Sequence, residues 1–124
     1  NRHRFAPSYC PPGRDAAVAF NTIDLRLRNP YSFPLVIDGR IDGDRLVVRV
    51  LGPGKMSDRP SIVTDVRQVL EPRAFTIRRG GESGRVRNNG KRGYEVATYR
   101  VWKGRRELLS VDSYPAMHRV VEYR

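Results

Sequence analysis

Three side chains in the first fifteen residues are of types that do proton or nucleophile chemistry: His3, Cys10 and Asp15. A histidine titrates near neutral pH and can act as a base. A carboxylate can orient that base, and a thiolate can attack an acyl carbon. Each also has a plainer reading. His3 lies in a basic, irregular terminus, between Arg2 and Arg4, where a histidine is usually solvated. Cys10 precedes two prolines rather than a helix start that would lower its pKa, so it reads as an incidental small apolar residue. Asp15 leaves a Pro-Pro-Gly turn, where it either bonds nearby backbone N–H groups or is aimed by a rigid loop at a site. No nucleophile–base pair is evident from spacing. His3, Cys10 and His118 lack metal-ligand spacing, so neither a metal nor a cofactor is expected.

The loop that positions Asp15 is Ser8-Tyr9-Cys10-Pro11-Pro12-Gly13-Arg14-Asp15-Ala16. Pro11 and Pro12 fix their own φ and push the residues before them towards extended backbone. Gly13 permits a sharp turn. After it the chain reads as strands. Ala16–Phe20 is short and apolar. Asp24–Arg28 alternates, with Leu25 and Leu27 expected to face a core and Arg26 and Arg28 to face out. Phe33–Ile41 and Asp44–Leu51 flank Asp42-Gly43, a strong two-residue hairpin signal. On the return strand Leu46, Val48 and Val50 are expected inward, and Arg45, Val47 and Arg49 outward.

Gly52 to Pro60 is a polar, Pro/Gly-rich break. Gly52-Pro53-Gly54-Lys55 lacks the spacing of a phosphate loop, and no helix pattern follows it. Ser61–Glu71 mixes helical spacing with β-branched residues and is assigned to a strand. Ala74–Arg78 is another. Arg79 to Gly93, rich in Gly and Arg, is expected to be a long, flexible, basic hairpin arm. Tyr94–Trp102 and Glu107–Tyr114 flank a turn at Lys103-Gly104, Pro115-Ala116-Met117 breaks the ladder, and His118–Tyr123 closes the chain. The expected fold is mainly β, built of antiparallel sheets and hairpins with few or no helices. The expected organisation is residues 1–53, a linker at 54–60, and a small β module over 61–124.

The 124 residues hold 24 Lys plus Arg against 13 Asp plus Glu, a net charge of +11. All but Lys55, Lys91 and Lys103 of the cations are arginine, which pairs bidentately with carboxylates and phosphates. An anionic partner is therefore expected: nucleic acid, a membrane surface or an acidic wall polymer. The aromatic residues are few and scattered, which disfavours a single-strand-binding sheet and hence nucleic acid. No apolar run is long enough to span a membrane. With one cysteine there is no internal disulfide. The start at Asn1 reads as a fragment of a longer polypeptide, with any export signal or anchor upstream.

Arg2-His3-Arg4, Ser8-Tyr9, Pro11-Pro12-Gly13-Arg14-Asp15-Ala16-Ala17-Val18 and Asp24-Leu25-Arg26-Leu27-Arg28-Asn29, taken in this order, resemble the C-terminal half of the VanW-like family. Leu35–Ile37, Leu46–Val50 and Gly52 stand where that family has two strands ending in a glycine. The resemblance covers residues 2–53, and Cys10 departs from its usual aliphatic residue. It implies an extracytoplasmic, envelope-associated protein, in a family named for its association with vancomycin-resistance clusters. Family members carry an upstream Gly-Gly-Gly-x-Cys-Gln stretch. The resemblance thus implies a thiol nucleophile there, with His3 matching the base and Asp15 its orienter. On this reading the two residues should meet only in the intact parent, and this chain alone should be inert. Residues 61–124 resemble, through Gly80, Gly84, Gly90, Gly93 and Pro115 to Val121, the wall-associated module named for its five glycines.

The expected function is binding of anionic cell-wall polymer, a peptidoglycan-associated role, through Arg26, Arg28, Arg45, Arg49, Arg85, Arg87, Lys91 and Arg92. The alternatives are part of a cysteine-dependent cell-wall enzyme, a nucleic-acid-binding β module, and a structural β subunit of an envelope assembly. The partners expected are the wall polymer and the remainder of the parent polypeptide or an envelope assembly.

Overall fold

A computed structural model describes residues 1–54, 59–78 and 84–123. Among them there is no helix, and the fold is mainly β. Eight strands form: β1 (Val36–Asp42), β2 (Arg45–Leu51), β3 (Ser61–Leu70), β4 (Ala74–Arg78), β5 (Val86–Lys91), β6 (Gly93–Trp102), β7 (Arg105–Tyr114) and β8 (Met117–Tyr123). They make a β1–β2 ribbon and two three-stranded sheets, ordered β3-β6-β7 and β4-β8-β5. The pairings are antiparallel except β4 with β8, which run parallel.

The chain divides into two compact units: Asn1–Leu25 with Pro60–Arg124, and Arg26–Arg59. One crossing between them falls within the break expected at 54–60. The other lies between Leu25 and Arg26. The segment carrying His3 and Asp15 is therefore part of the same unit as β3 to β8.

The core of the larger unit is small. Ala6, Val96, Ala97 and Tyr114 are buried, together with the polar Asp15, Thr98 and Glu122. Val96, Ala97 and Thr98 lie on the central strand β6, which is covered by a neighbour on each edge. Burying Asp15 and Thr98 is tolerable because each is hydrogen-bonded. Tight turns close the ladders. Lys103 and Gly104 both have positive φ, as a type I′ hairpin turn requires, and they join Trp102 to its partner Arg105.

Several sequence expectations are corrected. Ala16–Phe20 is not a strand, and it contributes one isolated bridge, Ala19 to Ile23. Asp24–Arg28 alternates but is not a strand either. No described strand pairs with it, so Leu25 and Leu27 stay exposed. Of the expected basic arm, 79–83 lie outside the described residues, while Val86–Lys91 is β5, paired with β8. Met117 opens β8 rather than breaking the ladder. Of the break at 54–60, residues 55–58 lie outside the described residues.

In the smaller unit, Asp42 pairs with Arg45, so the hairpin loop is Gly43-Asp44 rather than Asp42-Gly43. Positive φ at Gly43 but not at Asp44 is the pattern of a type II′ turn. Register puts Ile37, Ile41, Leu46, Val48 and Val50 on one face and the Asp38–Arg49 ion pair on the other. The apolar face was expected inward, but no third strand or loop of this unit's described residues covers it, and all five residues are exposed.

Gly43 has φ +61°, and nothing lies within 4 Å of an added Cβ. Gly43→Val should therefore cost about 1–3 kcal/mol through backbone strain alone. Faster amide exchange along β1 and β2 is the expected readout, and unchanged exchange would count against the turn geometry.

Candidate functional site: a buried aspartate holding a histidine

The local backbone forms the site first. Arg14 N–H reaches the Pro11 carbonyl at 3.2 Å, closing a four-residue turn with Pro12 and Gly13 at its centre. Gly13 has φ +88°, as the third position of a type II turn demands. The turn is pinned to the sheet at both of Gly13's backbone groups. Its N–H donates to the Tyr114 hydroxyl at 2.8 Å, and its carbonyl accepts from Thr98 Oγ1 at 3.2 Å. Asp15 leaves this turn fully inside the protein, at 1% exposure.

Both carboxylate oxygens of Asp15 are used. Oδ1 accepts the Tyr114 hydroxyl proton at 2.6 Å. Oδ2 accepts the His3 backbone N–H at 2.8 Å and lies 2.9 Å from His3 Nδ1. Burial alone pushes the Asp15 pKa up. The His3 backbone N–H, the Tyr114 hydroxyl and the His3 ring together outweigh it and bring the group down to about 2. Asp15 is thus an anion at neutral pH and can only accept. It follows that His3 Nδ1 carries a proton and donates it. In the neutral imidazole the lone pair then sits on Nε2, which has no hydrogen-bond partner among the described residues. The ring is partly open, with 41% of the side chain exposed, so Nε2 is available as a base.

Tyr114 is held by the same network. Burial, then its bond to Asp15, raises its pKa far above the usual phenol value, although the Gly13 N–H acts the other way. Tyr114 therefore stays protonated and serves as a fixed donor.

Arg2 ties the N-terminal segment down beside this pair. Its guanidinium donates to the Asp15 carbonyl, to Asp112 Oδ2 at 3.1 Å and to Ser110 Oγ at 3.2 Å. Ser110 in turn donates to Asp112 at 2.8 Å. A hollow of about 520 Å³, lined by Asn1, Arg2, Asp15, Ala16, Leu25, Ser110 and Asp112, opens there.

The expectation that His3 and Asp15 meet only in the intact parent is overturned, since they are hydrogen-bonded within this chain. Asp15 does bond a backbone N–H, as the plainer reading held, but it is that of His3 rather than of its own loop. The thiol of Cys10, half-buried in the preceding loop, has no hydrogen bond to the His3 ring. Among the described residues no group of three or more His, Cys, Asp or Glu is placed to hold a metal.

The eight proposed polymer-binding cations fall in both units. Arg49 pairs with Asp38 at 2.6 Å, Arg92 with Glu71 at 2.9 Å, and Arg87 with the buried Glu122 at 2.7 Å. Arg26, Arg28, Arg45, Arg85 and Lys91 are exposed, with no side-chain hydrogen bond or ion pair among the described residues. Sequence reasoning missed Tyr114 and Arg2. A tyrosine that is to be buried needs a partner for its hydroxyl, but spacing could not name one 99 residues away.

No curated protein and no solved structure matches the chain, and the resemblance of 61–124 to the five-glycine module finds no support among these comparisons. The segment from Asn1 to Leu51, which carries His3, the Pro-Pro-Gly turn and Asp15, matches the family model described as VanW like protein.

Proposed function

We propose that this chain supplies the acid–base half of a cysteine-dependent enzyme that acts on an anionic cell-envelope polymer outside the cytoplasm. The thiol would come from the Gly-Gly-Gly-x-Cys-Gln stretch of a parent polypeptide. The observation that carries the reading is the 2.9 Å contact between His3 Nδ1 and the buried Asp15 carboxylate. Anchoring the N-terminal segment needs only the bond from the His3 backbone N–H to that anion. A general base gains a fixed tautomer and a stabilised imidazolium.

In the reaction His3 Nε2 takes the thiol proton, and the thiolate attacks an acyl carbon. The leaving group then collects the proton from Nε2 as the thioester forms. An incoming water or amine gives its proton to Nε2 and releases the acyl group, restoring the thiol. The unpaired cations Arg26, Arg28, Arg45, Arg85 and Lys91 would help hold the polymer, by contacts that weaken with salt.

The test uses a polypeptide carrying the Gly-Gly-Gly-x-Cys-Gln stretch together with this chain, and purified cell walls as substrate. His3→Ala should lower turnover by about 10²–10⁴-fold while leaving the fold intact. Wild-type turnover in that variant would remove His3 from the chemistry.

A further inference from the structure

The sheet face that carries the Asp15 loop continues past it. Gly13 lies against the side chains of Thr64, Val96 and Thr98. Alternate residues of a strand, and directly paired residues of neighbouring strands, share a face. The same face therefore continues to Arg100 and Trp102 on β6, to their partners Glu107 and Arg105 on β7, and to Ile62 on β3. Trp102 stands four residues beyond Thr98, roughly 13 Å along the strand. Arg14 bridges the interval, its guanidinium donating to the Ile62 carbonyl at 2.6 Å.

At this far end an open cleft of about 680 Å³ is lined by Arg100, Trp102, Lys103, Arg105, Arg106 and Glu107. On the face shared with Thr98 its charge is unbalanced, with Arg100, Lys103 and Arg105 around the Glu107 carboxylate. Arg100 engages that carboxylate at 3.1 Å. Lys103 Nζ lies 4.6 Å from the Trp102 ring centre, whereas Arg106, paired with Val101, belongs to the opposite face, where its guanidinium lies 3.9 Å from the Tyr99 ring centre. Arg105 has no side-chain partner among the described residues. Trp102 remains 43% exposed.

We propose that this cleft is a subsite for an acidic glycan chain that runs along the sheet face towards His3. Guanidinium groups pair with the carboxylates or phosphates of such a chain. The indole offers a flat apolar surface to one sugar ring. A single-stranded nucleic acid would call for several aromatic platforms, one for each stacked base, whereas here several cations surround one tryptophan. The direction towards His3 rests on the catalytic reading; binding at the cleft does not.

Trp102 is the single tryptophan of the chain, so its fluorescence reports on the cleft directly. The probe is hexameric oligogalacturonate, set against neutral chitohexaose and oligo(dT). The acidic sugar should give a saturable change in emission that weakens with salt. Arg100→Ser with Arg105→Ser should raise its Kd about tenfold, whereas removing two charges elsewhere, by Arg40→Ser with Arg119→Ser, should change it less than about twofold. Circular dichroism checks that both double variants are folded. Equal losses in the two doubles, equal binding of the neutral sugar, or tighter binding of oligo(dT) at the same salt would overturn the subsite. The two readings fail separately. Cleft binding in a parent whose turnover ignores His3→Ala keeps the subsite and removes the catalysis. His3-dependent turnover with Kd and KM unmoved by Arg100→Ser and Arg105→Ser does the reverse.

Discussion

Gly93→Ala is expected to destabilise the larger unit by about 3 kcal/mol or more, a loss of roughly 10–20 °C in melting temperature. Gly93 opens β6 and is buried against the corner where β7 ends. A Cβ there would overlap the Tyr114 carbonyl oxygen and the Ala116 nitrogen, and would come within 2.6 Å of the Pro115 carbonyl carbon. All three are main-chain atoms, so no side chain can rotate away. The corner itself must move, and Tyr114 moves with it. Because the Tyr114 hydroxyl holds both Asp15 and the Gly13 N–H, the variant should also loosen His3. Gly39→Ala is the control. Gly39 is also a strand glycine without positive φ, but an added Cβ meets nothing within 4 Å. It should be neutral or slightly stabilising. Thermal melts by circular dichroism separate the two, and equal melting of Gly93→Ala and wild type would disprove the close approach.

That corner also shows where sequence reading stops. Of the strands from Ser61 onward, all but β5 were legible, because alternation, β-branching and turn residues agree in those segments, as at Lys103-Gly104. Asp24–Arg28 carries as clean an alternation and forms no strand. Alternation states which side chains share a face, whereas a strand also needs a neighbour for its backbone groups, and the partner is not written in the segment. The hairpin signal at Asp42-Gly43 was off by one residue for a related reason. The glycine was recognised, but type II′ puts it first in the loop where type I′ would put it second. In the site, the Pro-Pro-Gly turn and the two titratable residues were visible. Their meeting was not, because it depends on Arg2 reaching Ser110 and Asp112 and on Tyr114 reaching Asp15 and Gly13. Each of these contacts spans about a hundred residues and follows from the sheet register rather than from any local pattern.

Asp15→Asn should separate the structural from the chemical consequences of the buried carboxylate. Asp15 receives three hydrogen bonds from two partners, the Tyr114 hydroxyl, the His3 N–H and the His3 ring. An asparagine can accept at only one end. Whichever way its amide turns, one donor faces another or a hydroxyl proton is left without an acceptor, at a cost of about 1–3 kcal/mol. The pH dependence identifies the charge. The native pKa of Asp15 lies at about 2, below the 3.8 of a free carboxyl. A depressed native pKa contributes stability above the unfolded value that is lost as pH falls through the folded one. On these values the contribution is about 2 kcal/mol at neutral pH, falling away between about pH 4 and pH 2. Asparagine has no such term, so the gap in unfolding free energy between wild type and variant, from urea titrations, should narrow by about that amount over this interval. A gap independent of pH would mean that the carboxylate is not held as an ion. The effect on turnover of the parent should be larger than the effect on stability. Without the anion the imidazole can carry its proton on Nε2, the nitrogen that must be free to accept, and the imidazolium formed during attack loses its counter-charge. A fall of about 10²–10⁴-fold in kcat, with KM little changed, is the expected outcome. A folded Asp15→Asn variant with wild-type kcat would leave Asp15 as a structural anchor of the N-terminal segment and nothing more.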